Sequence, residues 1–446
     1  MKKILFSLCS LACIASCTTS VQEATPPDYT QPYLTDSASV VTYSQTQSTV
    51  NGKPFIPMGL YGVNAADMHK VKDLGFNLVQ TYGFFKMSHE KQIEYLDSAR
   101  YNNMMVFAGL NGAHDLSDEH FGKIKSTVLA IKDHPALYAW YLADEPSVKN
   151  VTPERFQEVY DWIKKTDPNH PVINSNWEIQ NFKDACDADM RQLYSGLPYR
   201  QTSRLESYLY EENKGQKTWV AILNAYDSGW EEPGVIGPNL NPTTAFDKLA
   251  AKGLKNGDPE WEKEEQRWQP LLDNLDNPAA AGFHTTASFP DTPAGVRGSI
   301  YWAFVHGSNG FYYWLYTNPE AGLNLRWGWY TLFFQPQLSE AVKSTLSEIA
   351  QLSKFLINPH LDYTSFKDEA NPGFFVWSKC VDGKRIVIVV NESGKPESGM
   401  TVDLSPLGLS AESLEVFNED GRTLTLQNGM LTDSFLQDEA HVYFVK

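Results

Sequence analysis

The sequence predicts an α/β fold, a (β/α)8 TIM barrel, followed by a small C-terminal β-sandwich domain. Eight short apolar segments alternate with amphipathic helical segments over roughly 270 residues, which is the pattern of a (β/α)8 barrel. No glycine-rich phosphate loop follows the first strand, which disfavours the alternative, a doubly wound open sheet. From about Asn358, strand-like segments separated by Gly, Asp and Asn replace the helices, and this change predicts the second domain.

The elements of the barrel follow from short apolar runs and from helix start and stop signals. Strands are predicted at residues 55–63, 76–82, 104–110, 137–143, 171–174, 188–194, 218–226 and 310–315, and helices at 65–74, 88–102, 117–132 and 152–165. The segment 227–293, between the last two strands, is too long for a plain βα unit and contains a charged helical stretch at 259–275. Long insertions at the C-terminal face of a barrel usually shape a substrate site.

Four regions are predicted along the chain. Residues 1–17 form a signal peptide, and residues 18–50 form a tether that contains one N-terminal strand near 39–43. The catalytic barrel covers residues 51–355, and the β-sandwich covers residues 356–446. Strands of the last region are expected near 374–379, 385–391, 400–404 and 441–445. This region is expected either to bind a ligand or to brace the barrel.

The first 17 residues have the features of an export signal. Lys2 and Lys3 precede a short apolar stretch, residues 4–15, which is too short to span a bilayer as a helix. The segment ends in Ile14-Ala15-Ser16-Cys17, which resembles a bacterial lipobox, and the resemblance implies that Cys17 is lipidated. The predicted location is the cell envelope, at the outer membrane, the cell surface or the periplasmic face. Cleavage of an ordinary secretory signal nearby is the alternative.

Composition and missing motifs exclude several classes of function. The formal net charge of −17 repels phosphate backbones, so nucleic acid is not an expected partner. Outside the signal, Cys186 and Cys380 give neither a disulfide framework nor metal-binding spacing. The sequence has no HExxH or GxSxG motif, so we expect no catalytic metal, no cofactor and no α/β-hydrolase esterase. Aromatic residues make up 13% of the chain, and their flat faces suit sugar rings as well as a large core.

The most informative motif is the segment 139–146, AWYLADEP, in which an apolar strand runs directly into two carboxylates. Side chains at the C-terminal end of a barrel strand lie where substrate binds. A carboxyl group in an apolar, aromatic pocket tends to keep its proton near neutral pH and can give it to a leaving oxygen. Glu145 is the predicted proton donor, and Asp144 is predicted to hold it in place. The alternative is that both acids cap the next helix or pair with a nearby Arg.

The same motif carries a family resemblance. Asp-Glu-Pro after the fourth strand resembles the (β/α)8 glycoside hydrolases that have catalytic glutamates after strands four and seven, although that clan usually has Asn where this chain has Asp144. Segments 54–62, 75–82, 301–307 and 310–314 also resemble parts of these enzymes, and the resemblance covers roughly residues 50–355. It implies a barrel that cleaves a β-linked oligo- or polysaccharide, with Glu145 as general acid and base.

The second catalytic glutamate that the resemblance implies is not at its expected position. The seventh strand carries Asn224 there, and the nearest acids are Asp227, Glu231 and Glu232. Three accounts remain open. Glu231 or Glu232 acts as nucleophile about 5 Å from Glu145 and gives retention, or one of them activates water at about 6.5–9.5 Å and gives inversion. In the third account the second carboxylate is missing and the chain binds glycan without cleaving it.

Other candidate site residues are aromatic or polar residues near predicted strand ends. The expected substrate-binding residues are Tyr61, Tyr82, Asn111, Trp177, Tyr194, Asn224, Trp230 and Trp302, with Trp314 beside them. Trp230 lies in the segment 229–233, which is either a sugar clamp or a solvated acidic turn. His114 and His306 either hydrogen-bond a sugar or serve the structure. A purely structural envelope lipoprotein remains a further class, and it would lack an aromatic cleft at the barrel mouth.

Overall fold

The computed structural model describes residues 28–44, 47–110, 116–146, 151–175, 181–193, 198–213, 215, 217–225, 242–274, 290–316, 331–359 and 361–446. All structural statements below concern these residues. Among them, no helix has both the length and the apolar character needed to cross a membrane.

Eight parallel strands close into a barrel, which confirms the predicted TIM barrel. In chain order they are β4 (Met58–Leu60), β5 (Leu78–Val79), β6 (Met105–Gly109), β7 (Leu137–Asp144), β8 (Val172–Ser175), β9 (Ala188–Leu193), β10 (Thr218–Asn224) and β11 (Phe311–Trp314). Each overlaps one predicted strand, and β11 pairs with β4 to complete the ring.

Side chains alternate between the inside of the barrel and the helices around it, as parallel strands buried on both faces require. On β7, Tyr138 and Tyr141 belong to the interior cluster, whereas Trp140 and Leu142 face the helices. A register shift between Tyr141 and Ala143 lies just before the end of this strand. The interior is therefore a packed aromatic and aliphatic core.

Helices surround the barrel. They are α1 (Met68–Asp73), α2 (His89–Tyr101), α3 (Asp118–Ile131), α4 (Pro153–Thr166), α5 (Pro198–Ser207), α6 (Pro242–Ala251), α7 (Pro259–Leu272), α8 (Pro293–Val305) and α9 (Pro336–Leu356). Side-chain oxygens of Ser88, Ser117 and Thr152 accept backbone N–H bonds at the starts of α2, α3 and α4, which explains why these helices begin where the sequence predicted. The insertion between β10 and β11 contains α6 and α7.

A three-stranded antiparallel sheet closes the N-terminal end of the barrel. Its strands are β1 (Val41–Tyr43), β2 (Ser48–Val50) and β3 (Lys53–Phe55). Val41, Val50 and Phe55 belong to the same core cluster as the barrel interior, and the Tyr138 hydroxyl donates to Tyr43 Oη at 2.9 Å. The predicted N-terminal strand is confirmed. The structure shows that it pairs within a three-stranded sheet and that this sheet covers the N-terminal end of the barrel.

The same end of the barrel holds a Ser–His–Asp arrangement that has no catalytic access. Ser39 Oγ lies 3.0 Å from His170 Nε2, and His170 Nδ1 lies 2.8 Å from Asp167 Oδ2. All three side chains are buried, and the Ser39 hydroxyl donates to the Leu137 carbonyl oxygen. Nucleophilic catalysis needs a hydroxyl that a substrate can reach, so this network ties the N-terminal sheet to the barrel instead.

The C-terminal region consists of two antiparallel sheets. One has the order β12 (Tyr363–Lys367), β13 (Phe374–Val381), β14 (Lys384–Asn391), β19 (Ala440–Val445), β16 (Ser413–Val416) and β17 (Thr423–Thr425), and the other pairs β15 (Glu397–Asp403) with β18 (Met430–Phe435). Val376, Val389, Val402 and Leu431 share one apolar core that draws on both sheets. The predicted strands are confirmed, and their description as a β-sandwich stays a prediction.

Helix α8 joins the barrel to the C-terminal sheets through buried polar contacts. Arg297 donates from Nε to Glu348 Oε2 at 2.8 Å and from Nη1 to the Ala440 carbonyl oxygen. His306 Nε2 lies 2.7 Å from Glu392 Oε1, with both side chains almost fully buried. The structural alternative for His306 is therefore the correct one, and this residue does not face a sugar site.

Buried His441 connects the two C-terminal sheets. It lies on β19, its Nδ1 is 3.0 Å from Asp433 Oδ2 on β18, and its Nε2 is 3.5 Å from Glu439 Oε2. Arg422 and Glu419 complete the charged surroundings. Burial alone would lower the pKa of His441, but hydrogen bonds to Asp433 and Glu439 outweigh it and raise the pKa.

This raised pKa predicts a pH-dependent stability. Because the folded pKa of His441 lies above the unfolded value, its stabilising contribution is complete below about pH 6.5. The contribution is lost as the pH rises through the folded pKa. We expect the difference in unfolding free energy between the wild type and His441→Gln to shrink from pH 6 to pH 9, measured by urea denaturation. A difference that grows over this range would contradict the assignment.

Candidate active site

Two carboxylates stand at the end of the fourth barrel strand. Asp144 is the last residue of β7, and Glu145 follows it; both are half-buried. At the other seven strand ends, the last strand residue and any described residue in the next two positions are not acidic. The described part of the barrel mouth therefore has its negative charge on one side, at the position that the sequence predicted.

Glu145 has a left-handed backbone conformation. Its φ is +51°, a region that costs an L-residue other than Gly roughly 1–2 kcal/mol. Its backbone N–H donates to the Ser175 carbonyl oxygen on β8 at 2.8 Å, which fixes the residue to the neighbouring strand. Such conformations persist where the surroundings enforce them, and they concentrate at functional sites.

Asp144 is held by a buried tyrosine. The Tyr141 hydroxyl donates to Asp144 Oδ1 at 2.8 Å. Burial is the main cause that raises the pKa of Tyr141, and the charge of Asp144 raises it further. The phenol therefore stays protonated and donates, so the carboxylate of Asp144 is fixed beside Glu145.

Aromatic rings form one wall of the mouth. Tyr61 is buried, and its ring lies 5.8 Å from that of Tyr141 and 6.1 Å from that of Tyr82, in a near-parallel stack with Tyr82. Tyr82 is 48% exposed, and its hydroxyl accepts a hydrogen bond from Trp314 Nε1 at the end of β11. An exposed ring held in this way offers a flat apolar face to a ligand.

Neutral polar side chains form the floor of the mouth. Gln80 follows inward-facing Leu78 by two residues, and Gln192 follows inward-facing Met190 in the same way, so both amides point toward the barrel axis. Both are buried, and Gln192 Nε2 donates to Ser175 Oγ at 2.8 Å. Asn224 ends β10, two residues beyond inward-facing Ile222, and it is fully buried.

The structure thus brings some of the predicted site residues together at the barrel mouth and contradicts the prediction for one of them. Tyr61, Tyr82, Asn224 and Trp314 lie at the mouth with Asp144 and Glu145. Trp302 does not, because it lies on α8, is buried, and donates from Nε1 to Thr202 Oγ1 at 3.2 Å. The predicted residues outside the described part of the chain are Cys17, Asn111, His114, Trp177, Tyr194, Asp227, Trp230, Glu231 and Glu232.

Sequence reasoning missed Tyr141, Ser175, Gln80 and Gln192 as site residues. The signal that identifies Gln80 and Gln192 is a polar residue two positions after an inward apolar residue at a strand end. That signal is usable once the inward face of each strand is known. Across the described residues, no group of three or more His, Cys, Asp or Glu side chains is placed to hold a metal ion.

Comparison with known proteins gives the same picture of the barrel. A family model for the TIM-barrel domain of family 2 glycosyl hydrolases matches residues 71–229. A solved glycoside hydrolase is 15% identical, with 92% of this chain and 96% of the other covered and a TM-score of 0.53. A family 5 glycoside hydrolase from Bacteroides vulgatus is also 15% identical, with 92% and 93% covered and a TM-score of 0.52. No curated protein matches the sequence. The chain carries a TIM barrel of the type found in glycoside hydrolases.

Proposed function

We propose that this chain is a glycoside hydrolase that cleaves a β-linked glycan, with Glu145 as general acid and base. The observation that carries the proposal is the position of Glu145, at the end of the fourth barrel strand and beside the aromatic wall of the mouth. The family-model match supports hydrolysis of a glycosidic bond as the reaction class. No cofactor is needed for this chemistry.

The reaction begins with proton transfer from the Glu145 carboxyl group to the glycosidic oxygen. The bond between that oxygen and the anomeric carbon then breaks, and the leaving sugar departs as an alcohol. The Glu145 carboxylate afterwards takes a proton from water. Asp144, fixed by Tyr141, is adjacent to Glu145 in the chain and is proposed to position it.

The second carboxylate is proposed to be Glu231, or less favourably Glu232. In the retaining form of the reaction it attacks the anomeric carbon, and water releases the glycosyl-enzyme in a second step. In the inverting form it removes a proton from the attacking water. Both residues lie outside the described part of the chain.

A second candidate function is glycan binding without hydrolysis. The observation that favours it is the fully buried Asn224 at the end of the seventh strand, since an amide cannot act as nucleophile or base in this reaction. In this account the aromatic wall and the polar floor bind a sugar for other enzymes, and the Glu145 carboxylate accepts a hydrogen bond from a sugar hydroxyl.

The discriminating experiment uses the chain without residues 1–17 and a panel of β-glucans, mannans, galactans and host glycans. Wild type and Glu145→Gln are assayed for product release and, on the same panel, for binding by affinity electrophoresis. Product release by the wild type that the substitution abolishes supports the hydrolase. Binding by both proteins without product supports glycan capture, and full activity of Glu145→Gln removes Glu145 from the mechanism.

We further propose that the protein is anchored to the bacterial cell envelope by lipid on Cys17. The charged start, the short apolar stretch and the Ile-Ala-Ser-Cys sequence support this location. Expressed in a bacterium supplied with labelled palmitate, the full chain is expected to incorporate label and enter the membrane fraction. Cys17→Ala is expected to lose the label, and labelling of both proteins would place the modification elsewhere.

A further inference from the structure

We infer that a cavity at the starts of helices α2 and α3 binds a sugar unit that carries a carboxylate or a sulfate group. This inference rests on the proposed function, because it names a charged unit of the glycan that reaches the barrel mouth. It adds a binding site beside the mouth and leaves the cleavage chemistry as described.

The cavity has a volume of about 600 Å³ and is open to solvent. Small-molecule sites have volumes of about 300–1,000 Å³, so the space is large enough for a ligand. Its lining comes from the segment that leads into α2 and from the first three turns of α3, and it combines half-buried Phe85 and Met87 with polar and charged side chains. Such a mixture of apolar and polar groups suits a sugar ring.

The cavity lies on the same face of the barrel as the mouth, because barrel helices begin beside the C-terminal ends of the strands they follow. Of the lining residues, His89 is the first residue of α2 and Ser117 is the N-cap of α3. His120 Nε2 lies 2.9 Å from the carbonyl oxygen of Leu110, the residue that follows β6 by one position. Strand β6 pairs with β7, which ends in Asp144. The cavity is therefore one strand away from the strand that carries the two acids.

A buried hydroxyl group without a partner belongs to the lining. Thr127 is only 4% exposed, and its hydroxyl makes no hydrogen bond with any residue in the described ranges. Threonines in helices often donate to the carbonyl oxygen four residues earlier, as Thr345 does to Ala341 at 2.7 Å on α9. A buried polar group without a partner is unfavourable, so a ligand oxygen that accepts from Thr127 removes that penalty.

The charge of the lining is positive, although the chain as a whole has a net charge of −17. Lys86, Lys123 and Glu119 are its charged residues at neutral pH, whereas the other acids of the two first turns, Glu90 and Asp118, are not part of it. Lys123 Nζ pairs with Glu119 Oε1 at 3.0 Å. Lys86 makes no ion pair with an acid in the described part of the chain. This unpaired cation favours a ligand with an anionic group.

The binding experiment compares oligosaccharides that differ only in charge, by calorimetric titration of the full chain carrying Glu145→Gln, which keeps them intact. One pair is tetramannuronate and β-mannotetraose, and the other is a sulfated keratan tetrasaccharide and its desulfated form. We expect at least one acidic member to bind about tenfold or more tightly than its neutral counterpart. Equal binding within both pairs, or no binding at all, overturns the inference. Inorganic sulfate that binds as tightly as the sulfated sugar shows a simple anion site and also overturns it.

Lys86→Gln tests the charge, with Lys343→Gln as the matched control. Lys343 is an exposed lysine on α9, outside the cavity, and it too makes no ion pair with a described acid. In the Glu145→Gln background, Lys86→Gln is expected to weaken binding of the acidic sugar roughly tenfold and to leave binding of the neutral sugar unchanged. Lys343→Gln is expected to change neither. Equal weakening by the two substitutions would show a general effect of net charge and would exclude the cavity.

Thr127→Val tests the buried hydroxyl, because Val keeps the shape of Thr and cannot donate a hydrogen bond. Binding of the acidic sugar is expected to weaken roughly fivefold to tenfold, and the melting temperature is expected to stay the same or to rise, because an unpartnered buried group is removed. Thr345→Val is the control. It is expected to keep the binding and to lower the melting temperature, since it breaks the bond to Ala341. Unchanged binding by Thr127→Val would remove this residue from the site.

The outcomes separate this inference from the proposed function. If the wild type cleaves a glycan while Lys86→Gln and Thr127→Val bind every oligosaccharide unchanged, the hydrolase is supported and the cavity site is wrong. If an acidic oligosaccharide binds in a way that depends on Lys86 and Thr127, but the wild type releases no product from any glycan, the cavity site is supported and the hydrolase is wrong.

Discussion

Glu145→Gln is expected to lower kcat by about 10²–10⁴-fold on a natural glycan, because the glycosidic oxygen then leaves without a proton. The amide keeps the size and the hydrogen-bonding reach of the carboxyl group, so the backbone contact of residue 145 with Ser175 is expected to persist. A small change in melting temperature beside a large change in kcat would separate a chemical role from a structural one.

The dependence on the leaving group makes this prediction specific. The dinitrophenolate group of an aryl glycoside leaves readily without protonation, so Glu145→Gln is expected to lose far less kcat/KM on such a substrate than on the natural glycan. If the enzyme is retaining, the variant also lacks the base for the second step, and added azide, which needs no base, is expected to restore turnover as a glycosyl azide.

The control for this experiment is Glu94→Gln, which changes an exposed glutamate on α2 that pairs with Lys91. This variant is expected to keep wild-type kinetics on both substrates, because exposed ion pairs contribute little to stability. Equal losses for Glu145→Gln on the natural and the activated substrate would contradict the proton-donor role.

Gly298→Ala is expected to destabilise the protein by about 1–3 kcal/mol through overpacking. In the middle of a helix, a Gly→Ala change normally stabilises the protein by about 1 kcal/mol. The effect expected for Gly298→Ala has the opposite sign. An ideal Cβ at residue 298 would lie 1.6 Å from the Asp438 carbonyl oxygen, which is backbone of the C-terminal region. Helix α8 and the turn before β19 would have to move apart.

Gly122→Ala on α3 is the matched control, because a Cβ at residue 122 would have no heavy atom within 4 Å other than those of its chain neighbours and its own helix backbone. This variant is expected to gain up to about 1 kcal/mol from helix propensity. Urea denaturation of both variants measures whether each substitution raises or lowers the free energy of unfolding. A Gly298→Ala protein as stable as the wild type would show that the close approach of α8 to residue 438 is relaxed at little cost.

The barrel was predictable because its strands are buried on both faces and most of them therefore appear as short apolar runs between turn signals. Of the N-terminal sheet only the first strand was predicted, near residues 39–43, and its contact with the barrel through Tyr43 and Tyr138 could not be derived from sequence. The sequences of the other two strands, STV and KPF, carry no periodicity long enough to distinguish them from a tether.

The candidate site was predictable where charge interrupts an apolar strand, as at Asp144 and Glu145. Gln80 and Gln192 carry no such contrast, since their role depends on burial and on which face of the strand they occupy. Trp302 and His306 were proposed from their ring character, and neither the contact of Trp302 with Thr202 on α5 nor that of His306 with Glu392 could be derived from sequence. The local sequence pattern therefore identified Asp144 and Glu145, whereas the positions of the other candidate residues depend on tertiary packing.

The left-handed backbone at Glu145 has an evolutionary consequence. Gly and Asn accept this conformation at a lower cost than Glu, so random substitution at residue 145 that is screened for stability alone drifts toward them. Under the proposed function, selection for a proton donor opposes that drift. In diverging descendants of this chain, an acid at position 145 would then mark lineages with the proposed hydrolase activity, and Gly or Asn would mark lineages in which the barrel only binds glycan.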